Sequence, residues 1–293
     1  MAARTMSSAG PKWHQRKSVQ SVLRQTMLQV ILAVLGISFA IPFVWMVSTS
    51  LKPDAQIFTF PPVWIPSPIL LSNYPKSMAF VPLFPIYIRN TVFIAAMSVV
   101  GVLFSCPLAA YSMARIPWRF REPLFILTIA TMMLPAQVTL IPLFIIFKNM
   151  GLVGTFYPLI LPSFFGNAFF IFLLRQFFMT IPKELSEAAR IDGASEFGIY
   201  VRIMLPLIKP ALATISLFEF INQWKNFLGP LIYLSKAEMY TVSVGLQQYK
   251  YEYDTQWAFL MAASVIVTFP IIVLFFFTQR TFIQGVTLTG IKG

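Results

Sequence analysis

Five stretches of this chain, residues 27–50, 90–114, 123–147, 149–174 and 255–279, carry no Asp, Glu, Lys or Arg. A helix needs roughly 20 apolar residues to cross a bilayer, and each stretch is long enough. A sixth, 210–232, is interrupted by Glu219 and Lys225 and reads as part of a helix over 207–233. Only 11% of residues are charged and 57% are hydrophobic, with mean hydropathy +0.74; a soluble domain carries about 25% charged residues. The expected fold class is an all-α polytopic membrane protein with six transmembrane helices. It occupies 27–293 behind a polar, basic tail at 1–26.

A net charge of +12 would suit a nucleic-acid binder if the cations clustered. They do not. With both termini placed in the cytoplasm, fifteen Lys and Arg residues fall on the inner side, six fall outside and Lys225 stays in a span. That bias follows the positive-inside rule; it orients the chain and calls for no nucleic-acid partner. The basic start followed by an apolar run is laid out like a signal peptide. But 27–50 exceeds the roughly 7–15-residue apolar core of a cleaved signal and reads as the first span.

Reactive chemistry is sparse. Cys106 is the only cysteine and His14 the only histidine, which argues against an intrachain disulfide, a His/Cys metal site, a Ser-His-Asp triad or HExxH chemistry. Gly285…Gly290-Ile291-Lys292 lacks the adjacent Gly-Lys-Ser/Thr of a phosphate-cradling loop. No catalytic residue, no metal ligand and no cofactor bound by this chain are expected.

Between the first two spans, 51–88 holds eight prolines with Phe60, Trp64 and Tyr74. It reads as an extracytoplasmic loop, either packed on the bundle or meeting a soluble partner outside. The segment 236–254, with Tyr240, Tyr249, Tyr251 and Tyr253, is expected to face outward at the lipid boundary, where tyrosine is favoured. Prolines inside the spans, at 42, 107, 135, 142, 158, 162, 230 and 270, point to kinked helices around a cavity, because neighbouring helices can re-satisfy the carbonyls they release.

The polar stretch at 182–206 reads as two short helices with a bend. Pro182 suits a first helical turn, and Glu184 and Glu187 follow where negative charge is favoured. Leu185, Ala188 and Ala189 make a narrow apolar face of small side chains. Gly193 stands where a left-handed C-terminal residue is usual and Ser195 offers an N-cap. Phe197, Tyr200, Val201 and Met204 form a second apolar face, and Pro206 admits the next span. An amphipathic segment lying on lipid needs one face; two faces of different size around a glycine suit a protein cleft.

Glu187-Ala188-Ala189, three residues, Gly193, nine residues, Ile203, one residue and Leu205-Pro206 resemble the cytoplasmic coupling loop of binding-protein-dependent ABC importers. The run from Ile181 to Ser195 is similar to the carbohydrate-uptake branch, the maltose-type permease subunits. So are Pro42…Trp45-Met46…Ser50-Leu51-Lys52, Arg89-Asn90-Thr91, Tyr111-Ser112-Met113-Ala114-Arg115, Met132-Met133-Leu134-Pro135, Leu228-Gly229-Pro230-Leu231-Ile232-Tyr233 and the tail Gly290-Ile291-Lys292-Gly293. The likeness covers nearly all of 27–293. It implies an importer permease fold with a cytoplasmic coupling helix in a prokaryotic inner membrane. The implied partners are a second homologous permease chain, two ATPase subunits that carry ATP and Mg, an extracytoplasmic solute-binding protein and a sugar substrate. Docking on the ATPase is implied for Glu187, Ala188, Ala189, Gly193, Leu205 and Pro206, with Asp192 as a neighbour.

Ser216, Glu219, Asn222, Gln223 and Asn226 share one face of the fifth span, with Lys225 flanking them. An ionisable group at that depth costs at least about 2.5 kcal/mol by insertion scales, so a cavity, a partner or a changed protonation state must compensate. The stripe either lines the solute pathway or bonds helices together across two permease chains. Lys225 stands where the family's Trp-Asn pattern has asparagine, which leaves a phosphorylated or acidic sugar open. The competing functional reading is an ion-gradient-driven secondary transporter with Glu219 as a proton site. An intramembrane enzyme would lack a second catalytic partner for that glutamate.

Overall fold

The computed structural model describes the backbone of residues 13–250 and 255–287, and side chains over 21–250 and 255–279. Its described residues form helices α1 (Trp13–Ser50), α2 (Asn73–Phe80), α3 (Phe84–Arg115), α4 (Arg121–Thr131), α5 (Ala136–Asn149), α6 (Tyr157–Phe164) and α7 (Ala168–Thr180). There follow α8 (Glu184–Ile191), α9 (Glu196–Ile199), α10 (Leu205–Leu207), α11 (Lys209–Trp224), α12 (Leu228–Tyr233), α13 (Val242–Gly245) and α14 (Trp257–Thr287). Among the described residues, four apolar helical runs are long enough to cross a membrane: 21–50, α3, Tyr157–Thr180 and 257–279. Two bent pairs raise the number to six: α4 with α5 at 99°, and Glu196–Leu207 with α11 at 76°.

The spans differ in detail from the charge-free windows. Helix α1 begins at Trp13, so part of the expected tail is helical, and residues 1–12 lie outside the described residues. The fourth span runs over Tyr157–Thr180 rather than 149–174. The expected helix at 207–233 is divided, with breaks at Ile208 and at 225–227. Pro182 falls two residues before α8 instead of in its first turn.

Helix α3 is the hub, packed by α6, α7 and α11. Gly101 lets α6 approach: a Cβ there would stand 2.7 Å from the Phe164 ring and 3.0 Å from the Ser163 backbone. Beside it, the Ser105 hydroxyl donates to the Ser163 carbonyl at 2.9 Å. One turn further, the buried Cys106 sulfur accepts the Asn167 N–H at 3.3 Å where α6 gives way to α7. Asn167 then caps α7, its Oδ1 accepting from Phe169 and Phe170.

Three apolar clusters fill the bundle. One joins α3, α7 and α11 to the 184–208 segment through Leu174, Phe178, Ile199, Met204 and Ile215. A second joins Phe84 and Tyr87 to Trp224, Tyr249 and Ala263; a third joins Ile94 to Phe147, Leu159 and Tyr233. Tyr249 is a core residue, its hydroxyl donating to the Ser77 carbonyl at 2.9 Å, and Tyr240 is half-buried against Tyr87. These two tyrosines therefore do not face the lipid boundary. Their rings are needed to close the gap between α2, α3 and α14. Tyr251 and Tyr253 lie outside the described residues.

Candidate functional site: the 184–207 loop and the polar break in the fifth span

Helix α8 ends in a Schellman motif. The Ala194 N–H reaches the Ala189 carbonyl at 2.9 Å and the Gly193 N–H reaches Arg190 at 3.0 Å, with Gly193 at φ +80°. These bonds satisfy carbonyls that a helix end otherwise leaves open. The Ser195 hydroxyl accepts the Gly198 N–H at 3.1 Å and caps α9. A π-helical turn, Tyr200–Met204, leads into α10. The loop is therefore a folded unit with both helix ends closed by its own residues.

One side of this unit is fastened to the bundle. Ala189, Ile199, Tyr200 and Met204 are buried in the cluster shared with α3 and α7. Arg190 donates to Glu196 at 2.6 Å, and the Tyr111 hydroxyl donates to the other Glu196 oxygen at 3.1 Å. The Arg115 guanidinium donates to the Ile181 carbonyl just before α8. The Arg190 bond holds the Glu196 carboxyl below the ordinary carboxylate range against the opposing effect of partial burial. Both side chains of that pair stay well exposed, where ion pairs contribute little; the pair sets register more than it adds stability.

The other side is bare. Ile191 is 87% exposed and Phe197 70%, with Leu185, Val201 and Leu207 also exposed. Each apolar face expected from the sequence is thus split. Ala189 turns inward and Leu185 and Ala188 outward; Tyr200 and Met204 turn inward and Phe197 and Val201 outward. Glu187, Asp192, Gly193 and Pro206 are exposed, and Leu205 is half-buried. Sequence reasoning missed Tyr111, Arg115 and Glu196 as the loop's fastenings. Tyr111 and Arg115 stand four apart at the end of α3, so the signal was a single helical face pointing at the loop.

The polar stripe is not one continuous surface. Glu219 is 3% exposed, and one carboxylate oxygen accepts from Gln223 at 2.7 Å and Ser163 at 3.3 Å. The Ser216 hydroxyl returns to its own helix at the Leu212 carbonyl, 2.8 Å away. Helix α11 then stops: the Lys225 N–H closes its last turn, and Asn226 Oδ1 accepts the Gly229 N–H at the start of α12. The break ends the single helical face expected for Ser216 to Asn226, leaving Asn226 beyond the end of α11. Of the six candidates, Asn222 and Lys225 are exposed, whereas Glu219 is locked to α6 within this chain.

A family model described as binding-protein-dependent transport system inner membrane component matches residues 101–288, which include the loop and the broken span. The arabinooligosaccharides transport system permease protein AraQ of Halalkalibacterium halodurans is 32% identical, over 94% of this chain and 100% of its own length. The sulfoquinovosyl glycerol transport system permease protein SmoH of Agrobacterium fabrum is 31% identical over 89% of this chain and 92% of its own. Among solved structures, a chain of a bacterial ABC transporter involved in import of the acidic polysaccharide alginate aligns with a TM-score of 0.78 at 25% identity. That alignment covers 93% of this chain and 99% of the other. A folded loop between helices, an all-helical bundle and these matches converge: the chain belongs to the binding-protein-dependent transport system inner membrane components.

Proposed function

We propose that this chain forms half of the translocation pathway of an ATP-driven sugar importer in a prokaryotic inner membrane. Sugar reaches it from an extracytoplasmic binding protein, and force reaches it from a separate ATPase seated on α8–α10. The carrying observation is the two-sided loop: Ala189, Tyr200 and Met204 fasten it to the bundle while Ile191, Phe197 and Val201 stand bare. An exposed apolar patch rimmed by charge is the usual form of a protein-docking face. Glu184 and Glu187 beside it disfavour the anionic surface of a cytoplasmic leaflet, which argues against a helix lying on lipid.

A sugar is supported by relatives that are permeases for arabinooligosaccharides and sulfoquinovosyl glycerol, and by the alginate importer's structure. A further alginate importer chain, in complex with an oligosaccharide-bound periplasmic protein, shares the fold with a TM-score of 0.61 at 15% identity. Asn222 and Lys225 are the stripe residues we assign to the pathway, because they are the exposed ones. Family membership favours this over the ion-gradient reading, and Glu219 accepts hydrogen bonds from Gln223 and from Ser163 of α6.

The test pairs copurification with uptake. Ile191→Asp with Phe197→Asp is expected to leave thermal stability unchanged, since surface changes fall within about 0.5 kcal/mol. The same variant should lose the ATPase on copurification and abolish uptake of labelled oligosaccharide. An ATPase retained at wild-type level, with normal uptake, would refute the docking role.

A further inference from the structure

Beside the loop, a cavity of about 340 Å³ opens between the end of α3 and the starts of α4 and α8. Arg115, Arg121, Arg175, Lys183 and Arg190 line it, against two carboxylates, Glu122 and Glu187. Part of this charge is already spoken for. Arg175 donates to both Glu122 oxygens at 2.8 and 2.9 Å and its guanidinium lies 3.9 Å over the Phe125 ring; Arg121 reaches the same carboxylate at 3.2 Å. Arg190 pairs with Glu196, which is not part of the lining. Arg115 and Lys183 form no ion pair among the described residues.

Two further features suit the lining to an anion. Four buried polar side-chain atoms among the described residues lack a hydrogen-bond partner, and two belong to residues of this lining: Arg115 Nε and Ser186 Oγ. Ser186 is 4% exposed. Both α4 and α8 also turn their N-terminal ends to the cavity, through Arg121 and Glu122 and through Lys183, Ser186 and Glu187; helix N-termini favour negative groups.

We infer that this cavity is a binding site for a phosphate group, borne either by an anionic phospholipid or by a soluble phosphate ester. Guanidinium forks match phosphate oxygens, and an ammonium adds a point charge beside them. Basic pockets between membrane helices on the cytoplasmic side hold lipid headgroups in this manner. Because Ser186 and Glu187 belong to α8 and Lys183 directly precedes it, an occupant would stiffen α8 from behind its bare face. The site does not depend on what the transporter carries.

The experiment uses the full chain purified with the subunits it assembles with, in nanodiscs of phosphatidylcholine alone or with phosphatidylglycerol, and in detergent with inorganic phosphate titrated against chloride at equal ionic strength. Melting temperature and retained phospholipid are read. Wild type is expected to show a saturable rise in melting temperature with phosphate, with phosphatidylglycerol, or with both. Lys183→Gln, at an exposed position, should weaken that response at least tenfold, and Lys183→Arg should keep it. A response to phosphate without lipid preference assigns a soluble ester; lipid preference without a phosphate response assigns a headgroup. No response to either, or an equal response in Lys183→Gln, overturns the site.

Discussion

Gly193 has a φ of +80° and open space where a Cβ would stand, so its requirement is one of backbone alone. A non-glycine residue in that conformation costs roughly 1–2 kcal/mol, least for asparagine. Gly193→Ala is therefore expected to loosen the α8–α9 bend and cut ATP-driven uptake several-fold, with Gly193→Asn in between. Uptake and stability identical in all three proteins would show the bend to be dispensable. Gly193 and Ser195 were legible in the sequence because helix stops and starts use few residue types. The pairing of Glu196 with Arg190 and Tyr111 was not, since Tyr111 lies 85 positions away and no local pattern joins it to the loop.

At the scale of elements, the loop is held by contacts of different kinds, and acid separates them. Arg190 depresses the Glu196 carboxyl, and a depressed carboxylate contributes stability above its unfolded value that is lost as pH falls through the folded one. Protection of the 184–199 amides, corrected for intrinsic exchange, is expected to be steady from neutral pH down to the ordinary glutamate range. Protection should then fall below that range, while Glu196→Gln, lacking the titrating group, stays flat. Parallel acid profiles for the two would remove the Glu196 fastening from the account. The buried side, with Ile199 and Met204, carries no charge and should not respond. Apolar windows overlap the long helical runs but carry no sign of their interruptions. Pro135 marks the α4–α5 bend, whereas Asn167 and Asn226 cap the helices that follow the other two breaks through local bonds, a signal that hydropathy does not register.

For the molecule as a whole, α1 stands apart. It packs against α14, none of its described side chains enters the three apolar clusters, and its most apolar stretch holds no buried residue. A span that uncovered must be wrapped by lipid or by another chain. The positive-inside bias, read from the sequence, predicts that the 184–207 loop lies inside and the proline-rich 51–83 segment outside. The single, buried Cys106 makes this checkable. In right-side-out vesicles of a cysteine-free background, an impermeant maleimide is expected to label Phe60→Cys, whose side chain is 96% exposed, at once. Ile191→Cys should react only after permeabilisation. The reverse order would invert the chain and remove the loop from any cytoplasmic engine.

The interruptions at 132–135, 165–167 and 225–227 have a consequence for that interior. Hydrocarbon offers nothing to a peptide group that has left its helical ladder. Three spans surrender that self-sufficiency partway across, and the chain meets part of the need itself, the Asn167 N–H resting on Cys106 and the Asn226 carbonyl accepting from Ser243. The remainder falls to solvent, cargo hydroxyls or a sister subunit.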